Sequence, residues 1–413
     1  MLTAFSNLWK AIQTDKPVFR FVLCTVFVFI MIFTIENIND RFWLADFNVY
    51  YHAAKAMYTG ETVYFNHFNN GQGYYKYSPV VLFFFLPYSI FSYKIAAIIH
   101  FIILSLVIGY TFIIIRRIFT RYLLAGETKN EDILLSFSFF CVLIHVVKEL
   151  HLGNINCVLL LLCCLCLWNF QMRRSFSGGI LLAIIILTKP FYIILVLPLL
   201  LRRNWRSLVA MVLTLLTGVI LPTLILGPTR SWSLHLDWLK TMFHHYENYP
   251  GVNTVFYLLQ KFLFPGLPGF VEFLLLLLVL VAFAWLILKN IQVEGKSGDP
   301  SRTASANIIL EWFMLIAIIP NLVNTDSEHF LATLPLITYI IYYIHRKRVY
   351  WLIPVMVILI FFYGANSMDL LGKELSNKLF KMGMIGLSNL GLLLITLILF
   401  LEQRKKDKLL VDY

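Results

Sequence analysis

Residues 95–115 read IAAIIHFIILSLVIGYTFIII and are followed at once by Arg116 and Arg117. The run holds no Asp, Glu, Lys or Arg and matches the roughly 20 residues a helix needs to cross a bilayer. Its apolar residues do not alternate with polar ones, so it does not suit a strand of a membrane barrel. Unpaired peptide groups are too costly in lipid, which leaves the helix as the spanning form. Similar runs recur at Leu208–Leu226, Phe273–Leu288 and Met384–Leu401. Together they predict an all-α integral membrane protein.

Composition agrees. Of 413 residues, 60% are hydrophobic and 14% charged, against about 45–50% and about 25% in soluble domains. The mean hydropathy is +0.78. A water-soluble enzyme and a disordered chain are both excluded. The net charge of +12 is read as basic residues flanking spans and setting orientation, with part of the excess suited to an anionic lipid. No nucleic-acid partner is expected. Six cysteines all lie in apolar segments, which suits packing better than a disulfide or metal framework. Lys10 and Lys16 flank the run Val18–Ile35 without a small-residue cleavage site after it, so this run reads as a first retained span.

Apolar runs near 17–36, 78–93, 95–115, 132–148, 155–170, 205–226, 270–289, 307–323, 329–345, 349–364 and 384–402, with the stretch 177–201, give about 12 transmembrane helices. They form one polytopic domain, 1–413. Lys189-Pro190 leaves 177–201 open between one tilted crossing and two short helices. Basic clusters stand at Arg116-Arg117, Arg173-Arg174, Arg202-Arg203, 345–348 and 404–406. All fall on the cytoplasmic side only if 78–93 is re-entrant and 177–201 is a hairpin. Either reading puts both termini in the cytoplasm, with a basic tail at 403–413. Both place 37–77, 227–269 and 324–328 outside, and the protein as a whole is expected in the inner or plasma membrane of the cell.

Outer loops of this length inside a packed bundle are usually functional. In the first, Asn48, His52, Lys55 and Thr59 recur at helical spacing while Phe47, Tyr50, Tyr51, Ala54, Met57 and Tyr58 fill the other side. The pattern predicts an amphipathic interfacial helix ended by Gly60. Pro79 would open the next helix.

Candidate chemistry gathers outside. Asp46 suits a helix cap and equally a partly desolvated base for a sugar hydroxyl. Lys76, between Tyr75 and Tyr77, suits a lipid-linked phosphate or an interfacial anchor. Lys189 is either an intramembrane charge, a functional candidate by default, or the tip of a hairpin. Asp326, Glu328 and His329 could bind a polar substrate or form a solvated turn. Asn154 and Asn156 read equally well as a plain turn. In the second outer loop, Arg230, His235, Asp237, His244, His245 and Glu247 alternate with Trp232, Trp238, Tyr246 and Tyr249, a composition common to sugar sites and membrane belts. No phosphate-binding glycine loop, dinucleotide fingerprint, paired-histidine zinc motif or serine elbow is present.

The order Asp46-Phe47-x-Val49-Tyr50-Tyr51, Gly60-x-x-x-Tyr64, Tyr75-Lys76-Tyr77-x-Pro79, Gly153-Asn154-Ile155-Asn156, Gly178-Gly179, Lys189-Pro190 and Arg202-Arg203-Asn204-Trp205 resembles glycosyltransferase family 87. These are polytopic glycosyltransferases of the GT-C type, mannosyltransferases among them. The resemblance covers roughly residues 15–260. It implies inverting transfer of a hexose, mannose favoured, from a polyprenyl-phosphate sugar to a lipid-linked or surface glycan on the outer face. It implies Asp46 as general base and Lys76 at the donor phosphate, and Lys189 and His329 match further family positions; with Tyr75, Tyr77, His52 and Arg230 from the reading of the loops, these are the candidates for binding the donor phosphate or substrate. No cofactor and no metal are expected, the lipid-linked sugar donor being a substrate. The family usually carries Gly-Gln-x-Asn where this chain has Gly153-Asn154-Ile155-Asn156. A transporter or flippase of lipid-linked sugars is the alternative; it would favour two similar halves with broken helices at matching positions, and no such repeat is apparent.

Overall fold

A computed structural model describes residues 15–68, 73–123, 130–244, 251–295, 300–365 and 367–409. Among these, helix dominates and no strand forms beyond one isolated bridge between Phe68 and Gly73. The helices are α1 (Lys16–Ile38), α2 (Ala45–Thr59), α3 (Pro79–Phe85), α4 (Tyr93–Ile118), α5 (Glu131–Cys141), α6 (Leu143–Leu152), α7 (Asn156–Gln171), α8 (Ser175–Thr188), α9 (Val196–Leu201), α10 (Trp205–Leu226), α11 (Pro228–His244), α12 (Val255–Phe262), α13 (Phe270–Glu294), α14 (Pro300–Leu322), α15 (Leu334–Lys347), α16 (Ile353–Tyr363), α17 (Met368–Leu371), α18 (Lys373–Lys381) and α19 (Met384–Leu409).

Among the described residues, six helices are long and apolar enough to cross a membrane, or seven if the pair α5–α6, bent by 61°, is one span. That is fewer than the sequence count, because several apolar runs are broken into pieces of 10–17 residues. The break at Lys189-Pro190 has a local cause. Proline disfavours the helical conformation of the residue before it, and Lys189 is extended, with φ −136° and ψ 101°. Helix α8 therefore ends at Thr188, and a 3-10 turn over Pro190–Leu195 leads into α9.

Ion pairs define two ends of the bundle. Arg116, at the end of α4, pairs with Asp15 before α1 and with Glu131 at the start of α5. At the opposite ends of these elements, Glu36 of α1 meets His151 of α6 at 2.9 Å. Arg202 pairs with Glu294 and Glu311, and Ser207 donates to the carbonyl of Ser175 at 2.9 Å. Lys189, between Ser175 and Arg202 in the chain, is instead bound to Asn156. Segment 175–201 thus runs out to Lys189 and turns back, which selects the two-helix alternative.

The run 78–93 also turns back. Tyr77 before it bonds Tyr50 of α2, and Phe91 after it accepts from the neighbouring Tyr51. Pro79 opens α3 and Gly60 closes α2 with φ +92°, as expected. Helix α2 differs from expectation in its surroundings. Most of its apolar face, including Phe47, Tyr50, Tyr51, Ala54 and Met57, is buried in the protein, while Tyr58 is exposed; Phe47 stacks on His100 at 4.1 Å. Close packing of α8 on α10 needs Gly179, where an added Cβ would lie 2.2 Å from the Ser207 carbonyl oxygen; small residues let helices approach in this way. All six cysteines are unpaired and lie buried or half-buried in helices. The tail expected at 403–413 continues α19 to Leu409, and 410–413 lie outside the described residues.

Candidate active site

The turn between α6 and α7 organises the site. Gly153, with φ +65°, ends α6, and an added Cβ there would lie 2.8 Å from Phe47 Cβ. A left-handed glycine with no room for a side chain therefore fixes α2 against this turn. The contact brings Asp46, in the first turn of α2, beside Asn154. Asn154 Nδ2 donates to Asp46 Oδ2 at 2.6 Å, while Asn154 Oδ1 accepts from the Ile155 N–H at 2.7 Å and from the Tyr50 hydroxyl at 3.4 Å. The amide is thus oriented by its acceptor side. Asp46 is not a cap: the N-cap of α2 is Leu44, and no side chain caps it.

Two residues on, Asn156 serves the opposite charge. Lys189 Nζ donates to Asn156 Oδ1 at 2.5 Å and lies 2.6 Å from His329 Nε2. An ammonium has no acceptor, so His329 Nε2 accepts and its Nδ1–H donates to the Asp326 carbonyl at 3.2 Å. Lys189 also lies 5.7 Å from the centre of the Tyr77 ring, a cation–π distance. Tyr77 and Tyr50 share a hydroxyl bond of 2.9 Å.

These groups line one pocket of about 220 Å³, with walls that include Asp46, Tyr50, Lys76, Tyr77, Asn154, Lys189, Asp326 and His329. Burial pushes the Asp46 carboxyl up from 3.8 to about 6; Asp326 adds to this, while Lys76, Lys189 and Asn154 oppose it. Burial lowers the Lys76 ammonium, against the pull of Asp326, Asp46 and Glu328. Helix α11 contributes Met242 to the wall and holds the Lys76 backbone through Trp238 Nε1, 3.1 Å from the Lys76 carbonyl.

Of the expected site residues, the fold brings Asp46, Lys76, Tyr77, Lys189 and His329 to this pocket. Three others stand elsewhere. Tyr75 is buried behind the wall, its ring 5.8 Å from Tyr64. His52 bonds the Asn48 carbonyl of its own helix at 2.9 Å. Arg230 donates to the Met57 carbonyl at 2.8 Å and so caps the C-terminal end of α2. His245, Tyr246, Glu247 and Tyr249 lie outside the described residues, as does the His244 side chain. Among the described residues, no group of three or more His, Cys, Asp or Glu is placed to hold a metal ion.

Sequence reasoning undervalued Asn154 and Asn156 and passed over Glu149, whose carboxylate accepts from Asn156 Nδ2 at 2.6 Å. The available signal was an acidic residue at the end of an apolar run, next to two alternating asparagines.

No match is found among curated proteins. The model of glycosyltransferase family 87 matches residues 75–318, which is more than half of the chain. The matched stretch carries Lys76, Asn154, Asn156 and Lys189; Asp46 precedes it, and Asp326 and His329 follow it. With a helical bundle of membrane-spanning character around these residues, the chain belongs to glycosyltransferase family 87.

Proposed function

We propose that this membrane glycosyltransferase moves a hexose, mannose favoured, from a polyprenyl-phosphate sugar to a lipid-linked or cell-surface glycan, with inversion at the anomeric carbon. The observation that carries the reading is one pocket walled by two carboxylates, Asp46 and Asp326, two lysines and a histidine. Asp46 takes the proton of the acceptor hydroxyl as that oxygen bonds to the anomeric carbon. The bond from that carbon to the phosphate oxygen breaks, and its electron pair leaves with the polyprenyl phosphate. Lys76 and Lys189, with His329 behind Lys189, take up the charge that gathers on the departing phosphate. A carboxyl raised to about 6 is ionised at neutral pH yet basic enough to accept a proton in the transition state.

The pocket end is assigned to the outer face and both termini to the cytoplasm. Arg116 and Arg202, with their ion partners, stand at the end away from the pocket, as basic clusters do on the cytoplasmic side. In this reading the shorter apolar helices complete the crossings, about 12 in all. The substrates are the lipid-linked donor and a glycan or glycolipid acceptor.

The test is transfer of radiolabelled mannose from polyprenyl-phosphate mannose in proteoliposomes. Transfer by the wild type and its loss in Asp46→Asn support the reading. Movement of the donor across the bilayer without transfer sinks it in favour of a flippase.

A further inference from the structure

We propose that Glu149 is a positioning residue for Lys189, acting through the side-chain amide of Asn156. The inference rests on the reading above, in which Lys189 meets the donor phosphate.

Glu149 lies in the last turn of α6 and is fully buried, with Asn156 and Lys189 only 4% and 6% exposed. Its two oxygens are both engaged: Oε1 accepts from Asn156 Nδ2 at 2.6 Å, and Oε2 from the Cys157 backbone N–H at 3.1 Å. Both Glu149 oxygens act as acceptors here, and an amide side chain has one accepting end and one donating end. Glu149 therefore forces Asn156 to turn its NH₂ inward and its carbonyl oxygen toward Lys189, where the bond is 2.5 Å. An amide turned the other way would aim N–H groups at an ammonium. The bond to Cys157 is a separate task. Ile155, the N-cap of α7, offers no side-chain cap, and Glu149 Oε2 fills that role. Capping asks nothing of Oε1, so the Asn156 bond is the part that bears on Lys189.

This division supplies a test that separates positioning from support of the fold. In Glu149→Gln, the glutamine oxygen can keep the Cys157 bond, but its NH₂ then faces Asn156 and turns that amide over. The donor KM should rise about tenfold, with kcat and the acceptor KM changing much less. Adding Asn156→Asp moves the negative charge onto residue 156. The glutamine NH₂ then donates to that carboxylate, which accepts from Lys189 with its other oxygen. The double variant should recover a donor KM within about threefold of wild type, a non-additive result expected only of groups in contact. Asn156→Asp alone sets two carboxylates together and should bind donor worst. Should Glu149→Gln fail to fold, Asn156→Ala removes the acceptor and leaves the Cys157 cap, and it should show the same rise in donor KM.

An unchanged donor KM in a folded Glu149→Gln or Asn156→Ala protein overturns the proposal, as does a double variant no better than its parents. Binding of a polyprenyl phosphate, read by native mass spectrometry, should rank wild type and double variant above both singles. If that ranking holds while the wild type transfers no sugar, the functional reading fails and the positioning of Lys189 stands. Equal binding by all four proteins removes the positioning.

Discussion

His329 Nε2 lies 2.6 Å from Lys189 Nζ, although 140 residues separate the two in the chain. The bond joins the extended residue at the break after α8 to the 3-10 segment Ser327–Thr333, and so closes one wall of the pocket from two distant parts of the sequence. Because the histidine is the acceptor, it must be neutral for the bond to form, with its proton on Nδ1 toward the Asp326 carbonyl.

Replacing Asp46 by Asn should lower kcat by at least about 10²-fold, the smaller end of the contribution of a general base. The amide is nearly isosteric, so the donor KM should stay within about threefold. Single-turnover transfer in proteoliposomes measures both, and full turnover in this variant would dismiss Asp46 as the base.

The pH profile should report the same carboxyl. With Asp46 pushed up to about 6 by burial, kcat/KM should fall as pH drops through about 6, and Asp46→Asn should lack that limb. The effect on stability has the opposite sense. A carboxyl raised in the folded state favours its protonated form there, so ionisation weakens the fold. The penalty is absent below the ordinary value of 3.8 and complete above about 6. Asp46→Asn should therefore melt higher than wild type at pH 8 and no higher at pH 4, by fluorescence melting in detergent.

Lys189→Ala, Lys76→Ala and His329→Ala should each raise the donor KM. The Lys189 change should be the largest, at about 10–100-fold, because it removes a hydrogen-bonded charge and leaves Asn156 and His329 without their donor. Acceptor KM should move little. Equal effects on both substrates would place these side chains at a shared structural contact instead of at the phosphate.

Arg230→Ala should act on stability rather than on chemistry. It removes the guanidinium that caps α2 at the Met57 carbonyl, a charged hydrogen bond contributing about 1.5–3 kcal/mol. The expected outcome is a lower melting temperature with near-normal donor KM below the transition. A selective rise in donor KM would return Arg230 to the substrate site.

The helical class was legible because membrane spans are written in composition, and runs such as Ile95–Ile115 admit one structure. Gly60 and Pro79 were legible because backbone conformation ties them to helix ends. The packing of α2 was not, since an apolar face reads alike whether lipid or protein covers it; Phe47 finds His100, a partner more than 50 positions away. Lys189 showed as a candidate through its charge. Asn154 and Asn156 did not, because they make ordinary turns and acquire their roles only when α2 and the segments near Lys189 and His329 fold against them. Arg230 looked like a residue for the donor phosphate or the substrate because charge and exposure do not reveal which carbonyl a guanidinium will meet.

The buried glutamate at the end of α6 has a consequence for biogenesis. Chains are made from the N-terminus onward, so Glu149 and Asn156 leave the ribosome before Lys189, and His329 follows 140 residues later. The lysine thus arrives with an acceptor already synthesised and does not wait for the second half of the protein. A nascent chain arrested after α10 should already shield Lys189 from amine-reactive labels, and one carrying Asn156→Ala should not.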